Sequence, residues 1–382
     1  MTGSGADVVV IGGGIVGTSA AAFCAEAGAR TVLVEREGLA AGASGANSGV
    51  VQHPLDPVLA DLYRSTLALY RDLAAADAGF RIAAEPAGML YVSRDEGAAR
   101  RMGAEIDRLF PELAWDVLAG AALQSLGPAL APDLWACRVG IGFPVAPAAS
   151  TYAYATLAER AGATVRLGRS ALPDVRDDAV VGVVVDGETI AAGAVLVAAG
   201  PWTPAALDPS GRWEPIHPRW GVVVEVDLPA GPRYVMEEAE IDAAIGTAQD
   251  GAPLAFDPDE AIEDFSLVPL GAVASVGSTF LAREPDPDAW IEPLLLRAST
   301  FVPSVADAPI RGTRSCARPQ SLDGRPLIGA VPGTRGLFVC AGHGSWGIST
   351  GPASARLVAD LILGRGTATP EELDAGRFGG PA

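Results

Sequence analysis

A glycine-rich turn near the start of the chain has the residue types and the spacing that suit a dinucleotide. The sequence from Gly12 to Gly17 reads G-G-G-I-V-G and satisfies G-x-G-x-x-G between a predicted strand at 7–11 and a predicted helix at about 15–27. Gly12 permits the tight turn. Gly14 lets a pyrophosphate reach the helix N-terminus, where free N–H groups and the helix dipole stabilise its charge. Gly17 permits close packing of the helix on the strand.

An acidic residue follows the second predicted strand, at 30–34. Glu35 can accept hydrogen bonds from ribose hydroxyls there, and its carboxylate would repel a 2′-phosphate, which argues against NADP. The turn and the acid by themselves leave FAD and NAD as alternatives. The contacts with the dinucleotide predicted from this part of the chain are Gly12, Gly14, Ile15, Val16, Gly17, Glu35 and Arg36.

Further motifs are spread over nearly the whole chain. They are Gly42-Ala43-Ser44 with Asn47-Ser48-Gly49, Ala199-Gly200-Pro201-Trp202, Arg318-Pro319 with the run 323–329, and Gly342-His343-Gly344 with Trp346-Gly347. With these motifs in this order, the sequence resembles the D-amino-acid oxidase superfamily, in particular its glycine oxidase and sarcosine oxidase branch. The resemblance implies that the cofactor is FAD.

The resemblance also implies which residues meet the flavin. The loop at 44–50 would approach the flavin phosphate or ring, the backbone of Val175 would meet the adenine, and the segment 342–348 would give main-chain contacts beside the isoalloxazine. The contacts implied in this way are Ser44, Asn47, Ser48, Gly49, Val50, Val175, Ala199, Gly200, Trp202, Gly342, Gly344, Trp346, Gly347 and Ile348.

Substrate binding by such an enzyme is mainly a matter of position, because hydride transfer to flavin N5 needs the reacting carbon held over that atom. An amino acid offers a carboxylate, and a planar guanidinium grips a carboxylate at two points. Arg318, in the Arg-Pro that matches the glycine oxidase pattern, is the predicted carboxylate ligand. Its alternative role is an ordinary ion pair.

The chain has three histidines. His343 lies in the glycine-rich flavin segment, where it either hydrogen-bonds near the ring or the substrate or bonds to the loop backbone. His53 is expected to line the pocket, and His217 to be structural. Arg219 stands where relatives show Arg-Gly-Gln, but Trp220 interrupts the pattern, so no role in the site is assigned to it.

Cys316 lies seven residues before Asp323, the spacing at which sarcosine oxidases carry a cysteine bonded to the flavin. Glycine oxidases lack that cysteine and match the Arg-Pro better. We therefore expect FAD to be bound non-covalently and Cys316 to be a small buried residue, with a covalent link through Cys316 as the alternative.

These residues need a fold that brings distant segments together. We predict an α/β protein with a discontinuous, Rossmann-like FAD-binding domain and an inserted α+β substrate domain that contains a mostly antiparallel sheet. The predicted FAD-binding domain comprises 1–50, 145–205 and 311–365, and the substrate domain 51–144 and 206–310. Residues 366–382, rich in glycine and proline, are expected to form a loose tail.

Composition excludes several classes of function. The formal net charge of −19 disfavours nucleic acids and anionic membrane surfaces as partners. The chain has no lysine, which excludes pyridoxal-phosphate, Schiff-base and P-loop chemistry. Four widely separated cysteines predict no metal site. No stretch reads as a signal peptide or a membrane span, so we expect a cytoplasmic protein, and the sequence leaves its oligomeric state open.

The sequence thus predicts FAD-dependent oxidation of a small amino acid or secondary amine of the glycine, sarcosine or D-amino-acid type. Electrons would pass to flavin N5 as a hydride and then to oxygen or another acceptor. Sarcosine oxidases use a lysine in the reaction with oxygen, which this chain cannot supply, so the acceptor stays open. The alternatives are an NAD-dependent dehydrogenase and a flavin-binding subunit of a multi-chain amine dehydrogenase.

Overall fold

The computed structural model describes residues 5–127, 130–239, 261–366 and 368–381. Strands occur along most of these residues and fall into two large sheets and one small one. In chain order the strands are β1 (Ala6–Ile11), β2 (Thr31–Glu35), β3 (Val50–Val51), β4 (Met89–Ser93), β5 (Trp115–Ala119), β6 (Trp135–Val139), β7 (Phe143–Pro144), β8 (Thr164–Leu167), β9 (Ala171–Arg176), β10 (Ala179–Val185), β11 (Glu188–Val197), β12 (Ile216–Asp227), β13 (Val235–Glu238), β14 (Ala261–Leu270), β15 (Val273–Leu281), β16 (Ile310–Ser321), β17 (Leu327–Ala330) and β18 (Leu337–Ala341).

The helices begin where the sequence supplies caps or glycine turns. The Asp56 and Asp95 side chains accept hydrogen bonds from the free N–H groups at the starts of α3 and α4. In chain order the α-helices are α1 (Ile15–Glu26), α2 (Ala43–Ala46), α3 (Pro57–Ala75), α4 (Glu96–Leu109), α5 (Gly120–Leu126), α6 (Ala149–Arg160), α7 (Thr203–Leu207), α8 (Ile291–Ser299) and α9 (Gly347–Ile362).

The first large sheet follows the order β17-β18-β11-β1-β2-β8. Strand β1 lies near its middle and pairs in parallel with both β2 and β11. Its valines Val8, Val9 and Val10 are all buried, which explains the continuous apolar run, because a central parallel strand is covered on both faces. Strands β10 and β11 form a hairpin whose turn is Asp186-Gly187. Both turn residues have positive φ, as a two-residue hairpin turn favours.

The second large sheet follows the order β16-β12-β15-β14-β13-β4-β6-β5. All of its pairs are antiparallel except β13 with β4. One face packs on α8 through an apolar cluster that includes Leu294 and Ala298. The combination of a first sheet whose strands β18, β11, β1, β2 and β8 are parallel with a mostly antiparallel second one confirms the predicted α/β fold with its α+β substrate part.

Helices α1, α3, α6 and α9 share one apolar core with a face of the first sheet. Helix α1 is rich in alanine, so its neighbours can approach it closely. Thr66 of α3 accepts a hydrogen bond from the backbone N–H of Ala353 in α9, at 3.2 Å. Helix α3 therefore packs on the nucleotide side, although we placed 51–144 in the substrate domain. The helical spacing of apolar residues in α3 indicates that one face of the helix is apolar, but it does not indicate which sheet that face packs against.

Two other features differ from the predicted boundaries. Strand β16 continues to Ser321 in the second sheet, paired with β12, so the boundary at residue 311 cuts through an intact strand. The tail is not loose in the described residues 368–381. Leu373 and Ala375 are buried, and Arg377 makes a paired contact with the Asp323 carboxylate. The glycines of this segment allow it to follow the surface closely.

No α-helix among the described residues is both long enough and apolar enough to cross a membrane.

Candidate active site

A single cavity of about 550 Å³ connects the glycine-rich turn to the second sheet. It begins beside β2, passes the N-terminus of α1 and the segment before α9, and ends on the inner face of strands β12 to β16. The cavity joins a cleft suited to a nucleotide with a floor of side chains suited to a substrate. Its two ends are described in turn.

The turn after β1 places the N-terminus of α1 in the wall of the cavity. Gly14 is the N-cap of α1 and provides no side-chain cap. Ser44 accepts a hydrogen bond from the Ile15 N–H through its Oγ, at 2.9 Å. A Cβ on Gly14 would stand 3.0 Å from that oxygen, and a Cβ on Gly17 would overlap the Gly12 carbonyl. Gly17 therefore permits the close approach of α1 to the turn after β1, and Gly14 leaves room for the Ser44 hydroxyl.

The acid at the end of β2 is bound to the same turn. Glu35 Oε2 accepts a hydrogen bond from the Gly13 N–H at 2.6 Å, and its Oε1 accepts one from the Glu37 N–H at 2.8 Å. Next to it, the Arg36 guanidinium lies 4.1 Å from the centre of the Trp202 ring. Arg36 and Trp202 together form one wall of the nucleotide end.

Loop 47–50 is held by its own asparagine. The Asn47 amide donates to the Ser44 carbonyl at 2.8 Å, and its Oδ1 accepts from the Gly49 N–H, also at 2.8 Å. Gly49 has φ +87°, a conformation that favours glycine. Ser48 and Val50 consequently line the cavity, while Gly49 turns away from it.

His343 lies where the cavity passes the N-terminal end of α9. Its ring is buried, and its Nε2 atom has no hydrogen-bond partner among the described residues. Burial lowers the pKa of His343 from 6.5 to about 3, so the imidazole is neutral at physiological pH. The next turn is fixed by Tyr70, whose hydroxyl donates to the Ile348 carbonyl at 2.7 Å.

Arg318 projects from β16 onto the floor of the cavity. It crosses β12 at Gly221, where a Cβ would overlap the guanidinium, and it donates to the Thr279 carbonyl at 2.8 Å and to the Ser278 hydroxyl. The guanidinium lies 4.4 Å from the centre of the Phe280 ring. Burial lowers the pKa of Arg318, which still stays cationic because the ordinary value is far above neutrality. It is a fixed, partly buried cation that lines the cavity rather than a surface ion pair.

Cys316 precedes Arg318 on the same face of β16 and also lines the cavity. It is a free, buried cysteine. Burial raises the pKa of its thiol, which opposes formation of the thiolate.

Most of the predicted site residues line this one cavity. They are Gly12, Gly14, Ile15, Val16, Glu35, Arg36, Ser44, Asn47, Ser48, Val50, Ala199, Gly200, Trp202, Arg318, His343, Gly344, Trp346, Gly347 and Ile348.

Four predicted residues lie outside the lining, for different reasons. Gly17 and Gly49 shape the backbone behind it, and Gly342, with φ +89°, faces Ser321 and Ile216. Val175 is exposed on β9, beyond the edge of the cleft. The cavity meets the chain earlier, at residues 169–172.

The other histidines and Arg219 lie apart from the lining. His53 was expected there, but it is buried between the rings of Tyr63 and Phe110, and its Nδ1 accepts the Leu55 N–H at 3.1 Å. Burial lowers the pKa of His53 to about 4. His217 and Arg219 both lie on β12 outside the lining.

Sequence reasoning missed the polar side chains of the sheet floor. Asp264 and Ser266 of β14 and Glu237 of β13 line the cavity beside Ser278, and Gln52 lines it from the loop that leaves β3. The signal available was the alternation of polar and apolar residues from Asp264 to Leu267, which indicates a strand with one polar face. The described residues contain no cluster of acids, histidines and cysteines that could hold a metal ion.

The cavity fits a dinucleotide cofactor. The open helix N-terminus at Gly14 suits a pyrophosphate, and the unpartnered, buried Nε2 of His343 lies further along the same cavity, where a ring system with polar edges would meet it.

The chain belongs to the family described as FAD dependent oxidoreductase, whose model matches residues 7–361. This confirms the resemblance to the D-amino-acid oxidase superfamily, confirms FAD as the cofactor and makes the protein an FAD-dependent oxidoreductase, which excludes the NAD-dependent alternative.

Particular relatives resemble the chain over nearly its whole length. Glycine oxidase from Geobacillus kaustophilus is 29% identical, over 95% of this chain and 94% of its own. Glycine oxidase from Pseudomonas aeruginosa is 28% identical, over 94% of this chain and 95% of its own. Among solved structures, glycine oxidase from Bacillus cereus superposes with a TM-score of 0.80 and 25% identity, covering 95% of this chain and 96% of that one. The chain is thus similar to the glycine oxidase branch.

Proposed function

We propose that this protein oxidises a small amino acid or a related secondary amine by transfer of a hydride from the carbon next to nitrogen to N5 of FAD. The observation that carries the proposal is the fixed, partly buried guanidinium of Arg318 on the floor of the cavity that also contains the glycine-rich turn. The glycine oxidases similar to this chain support the same class of substrate.

Arg318 would bind the substrate carboxylate. Its side chain is already fixed by Thr279, Ser278 and Phe280, so little conformational entropy is lost on binding. The Phe280 ring lies against one face of the guanidinium, and each terminal nitrogen donates one N–H to β15, so the remaining N–H groups would serve a carboxylate. A carboxylate held there leaves the α-carbon and its nitrogen free to point from the sheet floor toward the other wall of the cavity.

The opposite wall would hold FAD. The N-terminus of α1 with Ser44 would hold the pyrophosphate, Glu35 the ribose, and the segment 343–348 the flavin end. Bound FAD supplies a two-electron acceptor. The neutral His343 would add one hydrogen bond beside the reacting groups without adding a charge, and its burial excludes water from that point.

Arg318→Ala tests this assignment. The variant should keep its flavin spectrum and fold, and it should lose roughly a hundredfold or more in kcat/KM toward amino acids, because a charge-assisted pair is removed from a closed pocket. Arg318→Lys should recover part of that loss, since an ammonium lacks the planar fork.

The controls separate a carboxylate ligand from a structural residue. Arg311 lies on the same strand, is exposed and pairs with Asp227, so Arg311→Ala should leave kcat/KM nearly unchanged. A simple amine without a carboxylate should lose far less in Arg318→Ala than an amino acid does. Equal losses for both substrates would contradict the assignment.

A further inference from the structure

The hydroxyl of Ser278 keeps one hydrogen-bonding position that the described residues do not fill. A serine hydroxyl accepts through two lone pairs and donates through one O–H. Ser278 Oγ accepts from the Arg318 guanidinium, and no described residue accepts a hydrogen bond from it in return. The residue is only 6% exposed, yet it lines the cavity. Its O–H can therefore be donated to a molecule bound in the cavity.

The next residue on β15 has a hydroxyl whose hydrogen bonds are already made. Thr279 Oγ1 accepts from the Val222 N–H at 3.0 Å and donates to the Trp220 carbonyl at 3.4 Å, both on β12. That hydroxyl serves the pairing of two strands. Ser278 has no residue opposite it in the register of β15 with either β12 or β14. Its hydroxyl is consequently not needed for strand pairing.

The charge of the neighbouring guanidinium is influenced by two other side chains. Asp264 on β14 attracts the Arg318 cation, and Arg219 on β12 repels it. Both of these side chains have partners within the chain, so neither is a free charge. A carboxylate at Arg318 would therefore bind among charges of both signs. A hydroxyl adds a donor to such a site without changing its net charge.

We propose that Ser278 is a second ligand of the substrate carboxylate, which accepts the Ser278 O–H as well as N–H groups of Arg318. The inference rests on the proposed function and adds a further substrate-binding residue to it. The hydrogen bond between the two side chains fixes both of them before the substrate arrives, so little conformational entropy is lost on binding.

Ser278→Ala tests this donor in the FAD-loaded protein. The dissociation constant of propionate, a simple carboxylate, is measured from the change that it makes in the flavin spectrum and, independently, from competitive inhibition. The variant should bind propionate about tenfold more weakly, because a hydrogen bond to an ionised acceptor is lost, and kcat/KM for amino acids should fall by a similar factor. Ser278→Thr retains the hydroxyl and should recover most of the loss. A simple amine without a carboxylate should be little affected.

Ser275 on the same strand provides a matched control. Its Oγ also accepts from an arginine, Arg314, at 2.9 Å, and the residue is also buried, but it does not line the cavity. Ser275→Ala should therefore leave propionate binding and kcat/KM nearly unchanged. Equal losses in Ser275→Ala and Ser278→Ala would reflect the removal of a hydroxyl from β15 and would overturn the inference.

A double variant distinguishes a ligand from a residue that only positions the guanidinium. If Ser278 acted only through Arg318, Ser278→Ala would have no effect once Arg318 was alanine. We expect Ser278→Ala to weaken propionate binding several-fold further in the Arg318→Ala protein, because the O–H contacts the carboxylate itself. Identical affinities of the double variant and Arg318→Ala would overturn the inference.

The outcomes separate this inference from the proposed function. Unaltered propionate binding in Ser278→Ala, together with weakened binding in Arg318→Ala, would overturn the inference and leave amino-acid oxidation intact. If no amino acid bleached the flavin, the proposed function itself would fail.

Discussion

At the scale of single residues, burial determines the state of each reactive group in the cavity. Arg318 stays charged because its ordinary pKa is high, whereas His343 and Cys316 stay neutral because burial disfavours their ions. The cavity therefore offers the permanent cation of Arg318 on its floor, together with the neutral imidazole of His343 and the neutral thiol of Cys316. Two consequences can be measured.

The pH dependence of the free energy of unfolding should show that His343 is buried in its neutral form. Its folded-state pKa of about 3 lies below the ordinary value of 6.5, so the unfolded chain takes up a proton below pH 6.5 and the folded chain does not. The free energy of unfolding should fall as the pH drops through this window, by about 2 kcal/mol per such histidine between pH 7.5 and pH 5. His343→Asn should remove that part of the decline in urea unfolding at fixed excess FAD.

His53 provides the internal comparison. Its pKa of about 4 predicts a second contribution of the same sign, which should persist in His343→Asn and disappear in His53→Asn. An unfolding free energy that declines equally in the unaltered protein and in both variants would show that neither ring stays neutral in the fold.

Cys316 should remain unattached to the flavin. Its buried thiol is held in the protonated form, and the thiolate is the nucleophile. We expect acid precipitation to release all of the FAD into the supernatant, from the unaltered protein and from Cys316→Ala alike. Yellow colour that stays with the precipitated protein and is lost in Cys316→Ala would establish the covalent alternative instead.

At the scale of secondary structure, the sequence predicts best where the information is local. The strand, turn and helix from Ala6 to Glu26 follow from a β-branched run, three glycines and an alanine-rich segment, all within one short stretch. Strand β5 and most of β6, by contrast, went unpredicted, because their register depends on partners that the local pattern does not reveal.

The residues of the site also differ in whether local sequence predicts them. Arg318 and His343 stand in motifs and were found from the sequence alone. Glu237 and Asp264 depend on which face of β13 and β14 is turned inward, and β14 contains a register shift between Glu263 and Ser266. A one-residue shift reverses every side chain that follows it, so period-two reasoning alone cannot assign these faces.

Val175 illustrates a different limit. The resemblance placed an adenine contact at that residue, and β9 does begin beside the cavity, at Ala171 and Leu172. Four residues along an extended strand is about 13 Å, which carries Val175 beyond the reach of the cleft. A motif therefore identifies the secondary-structure element near the ligand, and the three-dimensional structure is needed to identify the residue on that element that contacts the ligand.

At the scale of the whole molecule, the C-terminal segment contributes to stability. Arg377 makes two hydrogen bonds to the Asp323 carboxylate, at 2.8 and 2.9 Å, and both side chains are nearly buried. Arg377→Ala would leave that carboxylate buried and unpaired. We expect the free energy of unfolding to fall by about 3 kcal/mol, measured by urea denaturation with FAD in excess.

A pair of the same type on the surface serves as the control. Arg30 and Asp7 are also joined by several hydrogen bonds, but both are well exposed and screened by water, so Arg30→Ala should lower the free energy of unfolding far less than Arg377→Ala does. Equal losses in the two variants would mean that the C-terminal segment is not held by the buried pair.

Strand β16 joins the two halves of the cavity. It carries Arg318 on the substrate floor, and two residues later Gln320 forms a β-bridge with His343 in the segment before α9. In the proposed arrangement, the carboxylate at the guanidinium and the flavin beside the imidazole would bind to two segments that this β-bridge joins. Their equilibria are thermodynamically reciprocal. Whatever factor the bound carboxylate applies to the dissociation constant of FAD, bound FAD applies to that of the carboxylate.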